Sequence, residues 1–452
     1  MLNLFENYLE TEQDLHESLK KSDYKQPTVV LNDEGYLPED VSSPISFFTQ
    51  MNPSPQKRKR NPKFFNEVAV PFYWEIKGEG QKAEIFDGYK KKGTIVYSQH
   101  KGDYRCVKAV EWLNEQEKVR SIDMYNQFGF LFGKKNYSDG QLALTTYFNI
   151  EGQEVLLFNH VTETIQVNYQ GQKYIFENYM DFILFYFEVA RLDCSTIFYN
   201  SLSTPFFITE SLKMKYPEIK YKHILFWQEI SSKIPGNMMQ ILKDKHFATS
   251  QIMVQDREEY LRLKQQVYEE VNTKVKLNYL GYIYNTKTRS TITVEPSILI
   301  LTNSDQITNL EVLVKALPRH QFDIAARTTM SEHLLAFDKY SNVSLYPTIE
   351  EEEIEELLQR NSFYLDINQG SEVDQIIRKS FENNQLIFAF KETLHNKRYV
   401  CNENIFEVNQ TSKLVEKIRN VSQNVNEYRN ALGTQRWTAG QATVENYKDI
   451  LK

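Results

Sequence analysis

Cysteine is scarce in this chain, with three residues, Cys106, Cys194 and Cys401, in a length of 452. An odd and widely spaced set builds no disulfide framework and reads as free thiols in a reducing compartment. A basic excess is absent too. Lysine and arginine number 53 against 60 acids, a net charge of −7, which excludes bulk electrostatic binding to nucleic acid. No apolar run approaches the roughly 18 residues that a membrane-spanning helix needs. The N-terminal stretch Met1-Leu-Asn-Leu-Phe-Glu turns acidic at once and lacks a signal-peptide core. The eight histidines have no metal-ligand spacing with the cysteines or with one another, and no nucleophile–base motif stands in a recognisable context. His16 and His223 read as packing residues. No metal or cofactor is expected.

What the chain has in quantity is aromatic surface, with 28 Tyr and 28 Phe, enough apolar area to exclude disorder. The length corresponds to roughly three domains, too much for one core. Leu4 to Lys20 carries Phe5, Tyr8, Leu9, Leu15 and Leu19 at near-helical spacing, which predicts an opening helix. Its polar face is acidic, so it suits packing on protein rather than lying on a membrane. Thr28-Val-Val-Leu is the first expected strand. Lys57-Arg-Lys-Arg, the one basic cluster, reads as an exposed loop or a contact for an acidic partner, with a localisation signal or a local nucleic-acid patch as the alternatives.

From Phe64 to Phe176 the apolar period changes to two, as in Thr164-Ile-Gln-Val-Asn-Tyr, and turn signals such as Ser138-Asp-Gly-Gln and Gln170-Gly-Gln recur at short intervals. Strands this close leave no room for crossover helices, so the stretch predicts one antiparallel meander. Its aromatic face and open edges suit contact with protein. Between 297 and 393 five apolar strands alternate with four helices, which predicts a doubly wound parallel sheet. The glutamates from Glu350 to Glu356 lie near a helix start and read as capping. In such sheets ligands bind beyond the carboxyl ends of the strands. Two α/β units joined near residue 290 would therefore present Asn200-Ser-Leu-Ser-Thr, Gln228, Asn303-Ser-Asp and Asn368-Gln-Gly to a shared cleft.

The segment Leu365-Asp-Ile-Asn-Gln-Gly-Ser-Glu, followed by a helix and Asn384-Gln-Leu-Ile-Phe-Ala-Phe, resembles the donor-site region of retaining GT-B glycosyltransferases. Asp14-Leu-His-Glu, Val70-Pro-Phe-Tyr-Trp, Asn200-Ser-Leu-Ser-Thr-Pro-Phe, Leu225-Phe-Trp-Gln-Glu, Gly236-Asn-Met, Ile300-Leu-Thr-Asn-Ser-Asp and Asn342-Val-Ser-Leu-Tyr-Pro narrow the match. In that order they resemble the stabilising (chaperone) subunit of the accessory Sec system's protein O-GlcNAc transferase, a family that serves serine-rich repeat adhesins. The resemblance implies an α/β chain, a GT-B-like pair of Rossmann-like domains with an extended antiparallel β-sheet domain inserted in the first. Its boundaries would be 1–63 with 177–290 for the first domain, 64–176 for the insertion, 291–422 for the second domain and 423–452 for a C-terminal helical return.

The resemblance also implies a non-catalytic role: binding a Ser/Thr-rich adhesin acceptor and supporting a homologous catalytic subunit, in a two-plus-two heterotetramer, that transfers GlcNAc from UDP-GlcNAc. Accessory Sec components are further partners, and the expected location is the cytoplasm, peripheral at the membrane's cytoplasmic face through partners.

The residues support the non-catalytic part. The family's catalytic pattern has two glutamates eight positions apart; here they are Glu372 and Ser380. Active members present Arg and Lys after the first strand of the second domain, where this chain has Asn303-Ser-Asp-Gln-Ile-Thr-Asn. A diphosphate left unpaired in a desolvated cleft costs on the order of several kcal/mol. No glycine-rich loop follows Thr28-Val-Val-Leu. Arg327 is the one nearby candidate for a phosphate cation, or else a structural ion pair. These three residues, Arg327, Glu372 and Ser380, form a degenerate donor site. The candidates for acceptor binding are Asn200, Ser203, Thr204, Trp227, Gln228, Asn237, Asn303, Ser304 and Asn368, whose amides and hydroxyls pair with a disordered hydroxyl-rich chain. Capping for Asn200 and Asn237, and core packing for Trp227, are the structural alternatives. The alternative function is an active retaining GT-B transferase with a reduced donor site.

Overall fold

The computed structural model describes residues 1–51, 61–99, 104–244, 246–270, 275–287 and 294–451; the Lys57-Arg-Lys-Arg cluster lies outside them. The chain divides into two compact units, Met1–Tyr279 and Leu280–Lys452.

The first unit opens with β1 (Leu2–Phe5), α1 (Glu10–Lys21), β2 (Thr28–Val30), β3 (Val41–Ser42) and α2 (Pro44–Thr49). It resumes, after an insertion, with β-α alternation. The helix expected from Leu4 starts only at Glu10, and the strand before it was not anticipated. β1 pairs in parallel with β2 on one side and, on the other, with a strand at Ile197–Tyr199. It is therefore a central strand, and all four of its residues are buried. A strand covered on both faces shows no alternation, so its apolar spacing merges with that of the following helix. α1 starts on Glu10 and Glu12 and ends on Lys20 and Lys21, charges that suit the helix dipole.

The insertion is a ten-stranded antiparallel meander, each strand pairing with the next in sequence. Its strands are β4 (Glu75–Gly78), β5 (Lys82–Asp87), β6 (Lys90–Tyr97), β7 (Val107–Leu113), β8 (Val119–Tyr125), β9 (Leu131–Ser138), β10 (Gln141–Phe148), β11 (Glu154–Asn159), β12 (Thr164–Tyr169) and β13 (Gln172–Phe176). Register shifts recur beside Phe86, Tyr97, Leu113, Tyr125, Leu142 and Phe148. Bulges of this kind bend a strand and increase its twist, so the sheet curves. Phe132, Leu156, Ile165 and Val167 of the sheet share one core with Leu2, Val29, Phe48, Phe182 and Ile183 of the α/β part. At the other end Ala83, Ile85, Ile95, Val107 and Val110 form a smaller cluster of their own.

After the insertion come α3 (Tyr179–Val189), β14 (Ile197–Tyr199), α4 (Thr204–Lys215), β15 (His223–Trp227), α5 (Gly236–Lys243), β16 (Thr249–Val254), α6 (Arg257–Glu270) and β17 (Lys276–Tyr279). Asn178 caps α3 by accepting from the Asp181 amide at 2.9 Å, and Phe182, Ile183, Tyr186 and Phe187 are its buried face. The parallel sheet runs β17-β16-β15-β14-β1-β2-β3. Its strand order reverses between β1 and β14.

The second unit has β18 (Ser297–Thr302), α7 (Leu310–Ala316), β19 (Gln321–Ala326), α8 (Glu332–Leu335), β20 (Val343–Tyr346), α9 (Glu351–Arg360), β21 (Phe363–Asp366), α10 (Ile376–Glu382), β22 (Leu386–Phe390), β23 (Ile405–Phe406), α11 (Thr411–Gln423), α12 (Val425–Thr438) and α13 (Val444–Ile450). The order β20-β19-β18-β21-β22-β23 is that of a doubly wound sheet, reversing between β18 and β21. β18, β21 and β22 are buried along their whole length, which is why they read in the sequence as unbroken apolar runs. Three glutamates in the first turn of α9 and a Glu350–Glu353 capping box account for the glutamate run. Among the described residues, no helix is long and apolar enough to cross a membrane.

Candidate functional site

The point where strand order reverses leaves a crevice at the carboxyl ends of the two diverging strands, since their connections leave in opposite directions. Each unit has one such point, and each is lined by amides, hydroxyls and carboxylates.

In the first unit, β1 ends beside Glu6 and β14 beside Asn200. Asn200 is buried, and its amide nitrogen donates to Glu12 Oε1 at 2.9 Å and to Gln228 Oε1 at 3.1 Å. Its oxygen accepts from the Glu6 backbone at 3.1 Å. Gln228 donates to the Thr11 carbonyl at 2.9 Å. Ser203 and Thr204 both donate to Glu6 Oε1, at 2.9 and 3.3 Å. Burial raises the Glu12 carboxyl, against the lowering effect of hydrogen bonds from the Leu9 amide and Asn200. The structure thus brings Asn200, Ser203, Thr204 and Gln228 together around Glu6 and Glu12, two residues that the sequence did not single out. Asn200 bridges strand ends and does not cap a helix.

Two other candidates stand apart. Trp227 is buried, and its indole nitrogen donates to Glu259 Oε1 at 3.2 Å, so it serves the core. Asn237 donates to the Leu202 carbonyl at 3.0 Å, which pins the loop before α4.

In the second unit, the loops after β18 and β21 close on each other. Thr308 N donates to Ile367 O at 2.9 Å and Gln369 N to Gln306 O at 3.1 Å, with an antiparallel bridge between Ile307 and Asn368. Asn368 is buried at the centre. Its oxygen accepts from Thr302 Oγ1 at 2.8 Å and from Gly370 N at 3.0 Å. Its nitrogen donates to Asn303 Oδ1 at 3.2 Å and to Ser371 O at 3.1 Å. Asn303 donates in turn to Ser371 Oγ at 2.7 Å. Ser304 accepts from Gln306 N at 3.1 Å through its hydroxyl and from Thr302 Oγ1 at 2.6 Å through its carbonyl. A Cβ on Gly370 would lie 1.9 Å from Asn303 Oδ1, so any other residue there would push the Asn303 side chain off its partners.

His395, in the loop after β22, was not anticipated. Its Nδ1 lies 2.5 Å from Asp366 Oδ1 and its Nε2 lies 2.7 Å from the Gly370 carbonyl. Both neighbours only accept, so both ring nitrogens must donate and the ring is an imidazolium. The Asp366 carboxylate raises its pKa to about 9. His395 and Asn368 hold the Gly370 loop.

The degenerate donor residues are accounted for locally. Arg327 donates to Asp374 Oδ2 at 2.5 Å, to the Ile349 carbonyl at 3.0 Å and to Glu351. Lys379 reaches the other oxygen of Glu351 at 2.9 Å. The guanidinium is neutralised by two carboxylates, so it is a structural ion pair. Glu372 Oε1 accepts from Ile377 N at 3.1 Å, fastening the start of α10. Ser380 is fully buried with its hydroxyl unbonded, and faces the interior.

Three further features bear on chemistry. The thiols of Cys106, Cys194 and Cys401 are free, and burial pushes Cys194 up to about 12. Among the described residues no group of three or more His, Cys, Asp or Glu side chains could hold a metal ion.

Family models match in chain order: the GtfB N-terminal domain over residues 2–48, the GtfB middle domain over 74–177, the GtfB third domain over 179–266, and the GftB/GlyA-F C-terminal domain over 298–435. The chain is 39% identical to the UDP-N-acetylglucosamine–peptide N-acetylglucosaminyltransferase stabilizing protein GtfB of Streptococcus agalactiae, over 100% of this chain and 99% of that one. It is 37% identical to the protein of that description from Streptococcus gordonii, over 100% and 98%. Among solved structures it resembles a chain of the GtfA/B complex bound to UDP and GlcNAc, with a TM-score of 0.90, 36% identity, and coverage of 100% and 99%.

Proposed function

Because the chain belongs to the GtfB family of stabilising proteins, we propose that it works as the non-catalytic partner of a catalytic subunit that transfers GlcNAc from UDP-GlcNAc to a polypeptide. The fold is of the GT-B type. The observation that carries the reading is the closed switch point of the second unit. Where a sugar nucleotide would be held, Asn303, Asn368, Gly370 and Ser371 satisfy one another. The nearest guanidinium, Arg327, is already bound by Asp374 and Glu351. Opening the site for a diphosphate would break these bonds and uncover two carboxylates beside the incoming charge. The same arrangement weighs against the reading in which the chain is itself a transferase, since Ser380 is buried where that chemistry places a ribose-binding glutamate.

We further propose that the chain holds the acceptor, a Ser/Thr-rich adhesin polypeptide, and presents it to the catalytic subunit. Such a chain offers repeated hydroxyls and backbone amides, and a surface of paired amides and carboxylates matches them. Ser203, Thr204 and Gln228 with Glu6 form one such surface, held from below by the buried Asn200, and Asn303 and Ser304 another, held by the buried Asn368; Trp227 and Asn237 are left out because their polar atoms serve the core and a loop. The proposed assembly is a two-plus-two heterotetramer in the cytoplasm, reaching the membrane's cytoplasmic face, and any accessory Sec components, through partners. The domain boundaries 1–63 with 177–290, 64–176, 291–422 and 423–452 belong to the same proposal.

The test is transfer of labelled GlcNAc to a Ser/Thr-rich polypeptide, first by the purified chain alone and then after adding the catalytic subunit. The expected result is no transfer alone and transfer on addition. Steady transfer by the chain alone would overturn the reading.

A further inference from the structure

A parallel sheet brings every strand start, and the end of every preceding helix, to one edge. The first unit's α/β sheet is parallel throughout, and backbone bonds continue its ladder past the strand starts. Leu2 N donates to Thr196 O at 2.9 Å, Asn3 N to Pro27 O at 2.9 Å, Lys222 N to Ser195 O at 3.0 Å and His223 N to Ala248 O at 3.1 Å. The strand starts from β17 to β2 therefore form one row, five strand spacings or about 24 Å long. This row lies at the opposite end of the sheet from the switch-point crevice.

Cations collect along it. Lys25, Arg191, Lys215, Lys220, Lys222 and Lys276 are exposed, and none takes part in an ion pair among the described residues. Lys215 ends α4, where a cation suits the helix dipole. The other five lie outside helices, so the dipole does not account for them. Acids of the same edge are largely engaged. Asp193 holds the N-terminal amine at 2.7 Å, Asp40 holds Lys20 at 2.7 Å, and Asp244 lies 2.6 Å from His246 Nδ1. Asp23, Glu39 and Glu218 are the other exposed acids there. In a chain of net charge −7, this edge is a local positive patch. Apolar tips stand among the lysines: Met214 is 83% exposed and Ile219 41%. Tyr221 donates to the Leu212 carbonyl at 3.0 Å, which folds the loop carrying Ile219 back onto the end of α4.

The composition of the patch selects among anionic partners. Phosphate on a nucleic acid or a phosphoprotein is typically gripped by planar, bidentate guanidinium groups, and this edge has one arginine among its six cations. Ammonium groups spread along a row, with apolar tips between them, match a plane of phosphate headgroups above an acyl boundary. We propose that the strand-start edge of the first unit is a lipid-facing surface, which rests on an anionic membrane through Lys215, Lys220 and Lys222 while Met214 and Ile219 enter the boundary. The contact is reversible and adds to the attachment through partners proposed above; it rests neither on that attachment nor on acceptor holding. Its consequence is orientation: the switch-point crevice, at the other end of the same strands, faces away from the bilayer.

The test is co-sedimentation of the full chain with vesicles of phosphatidylcholine, alone or mixed with phosphatidylglycerol. Binding is expected to the mixed vesicles only, and high salt should release it, because exposed charges are screened. Lys215→Gln/Lys220→Gln/Lys222→Gln should lower the partition coefficient about tenfold or more, since each lysine near an anionic surface contributes about fivefold. Met214→Ser/Ile219→Ser should lower it severalfold with the charge unchanged. All five side chains are exposed, so these variants keep the fold. A control, Lys339→Gln/Lys397→Gln/Lys413→Gln, removes the same charge from exposed positions of the second unit and should bind as the parent does. Failure to bind mixed vesicles, or an equal loss in the control, would overturn the proposal and leave the non-catalytic and acceptor-holding readings untouched. Polyglutamate probes the other class of partner: if the chain binds it and ignores the vesicles, the edge is a contact for an acidic protein and the lipid assignment falls.

Discussion

The imidazolium of His395 should make the second unit's stability depend on pH in a way that a single variant can isolate. The ring bridges Asp366, which is buried, and the Gly370 carbonyl, with its own side chain 17% exposed. Its folded pKa of about 9 lies above the ordinary 6.5. At about 1.4 kcal/mol per pH unit, this corresponds to about 3 kcal/mol of stabilisation of the charged form. A raised pKa means that the contribution is present in full below about pH 6.5 and is lost as pH rises through about 9. His395→Gln keeps a neutral donor but cannot serve both acceptors with charge. The stability gap between parent and variant, from urea denaturation, should be about 3 kcal/mol near pH 6 and should shrink toward zero near pH 10. The His395 ring resonance, followed by NMR, should titrate near pH 9. A gap that stays flat from about pH 6 to pH 10, or a ring titrating near its ordinary value, would refute the charge assignment and with it the view that His395 latches the Gly370 loop.

Other outcomes follow from the same geometry. Ser380→Glu, which rebuilds the second glutamate of the catalytic pattern, should destabilise the chain by about 3 kcal/mol, because the position is fully buried and the new carboxylate has no partner. It should not create UDP-GlcNAc binding; a stable variant that binds the nucleotide in calorimetry would sink the closed-site argument. Gly370→Ala should cost about 1 kcal/mol in urea denaturation, since the added methyl, 1.9 Å from Asn303 Oδ1, displaces that side chain from Asn368 and Ser371; an unchanged midpoint would mean that those two bonds contribute nothing to stability. Phe72 and Tyr89 lie almost wholly in solvent, so Phe72→Ser with Tyr89→Ser should move stability by less than about 0.5 kcal/mol. Co-purification with the catalytic subunit should nevertheless weaken if this end of the sheet is a partner surface, and unchanged co-purification would exclude it.

How much of this was legible beforehand depended on the kind of signal. β18, β21 and β22 were plain because strands covered by helices on both faces are written as unbroken apolar runs. The meander was plain because its face alternates and its turns leave no room for helices. β1 was hidden, since four buried residues show no alternation and α1 opens at Glu10, soon after Phe5. Asn200, Asn303 and Asn368 were recognised as polar residues at strand ends, but their bonds to Glu6, Glu12 and Gly370 join segments far apart in sequence. His395 carried a weak signal, its place just beyond the end of a buried strand. Its charge depends on Asp366, which only the folding of β21 beside β22 brings near. Trp227 shows the converse, a conspicuous residue whose indole merely satisfies Glu259.

The inserted sheet has a mechanical consequence. Ten strands at about 4.8 Å make a blade about 43 Å across. One side is welded to α2 and α3 through Phe132, Leu156, Ile165, Phe48 and Phe182, while the other gathers around the smaller cluster of Ile85 and Val110 and is tied to the segment after β2 by Tyr36 on the Val107 carbonyl and Lys108 on Glu34. That is a cantilever. A protein that grips the far strands acts on a long arm, and the arm is rooted beside the segment after β2 and the start of α3. Small rotations at the tip become strain at the root, where Asp33 and Tyr179 stand.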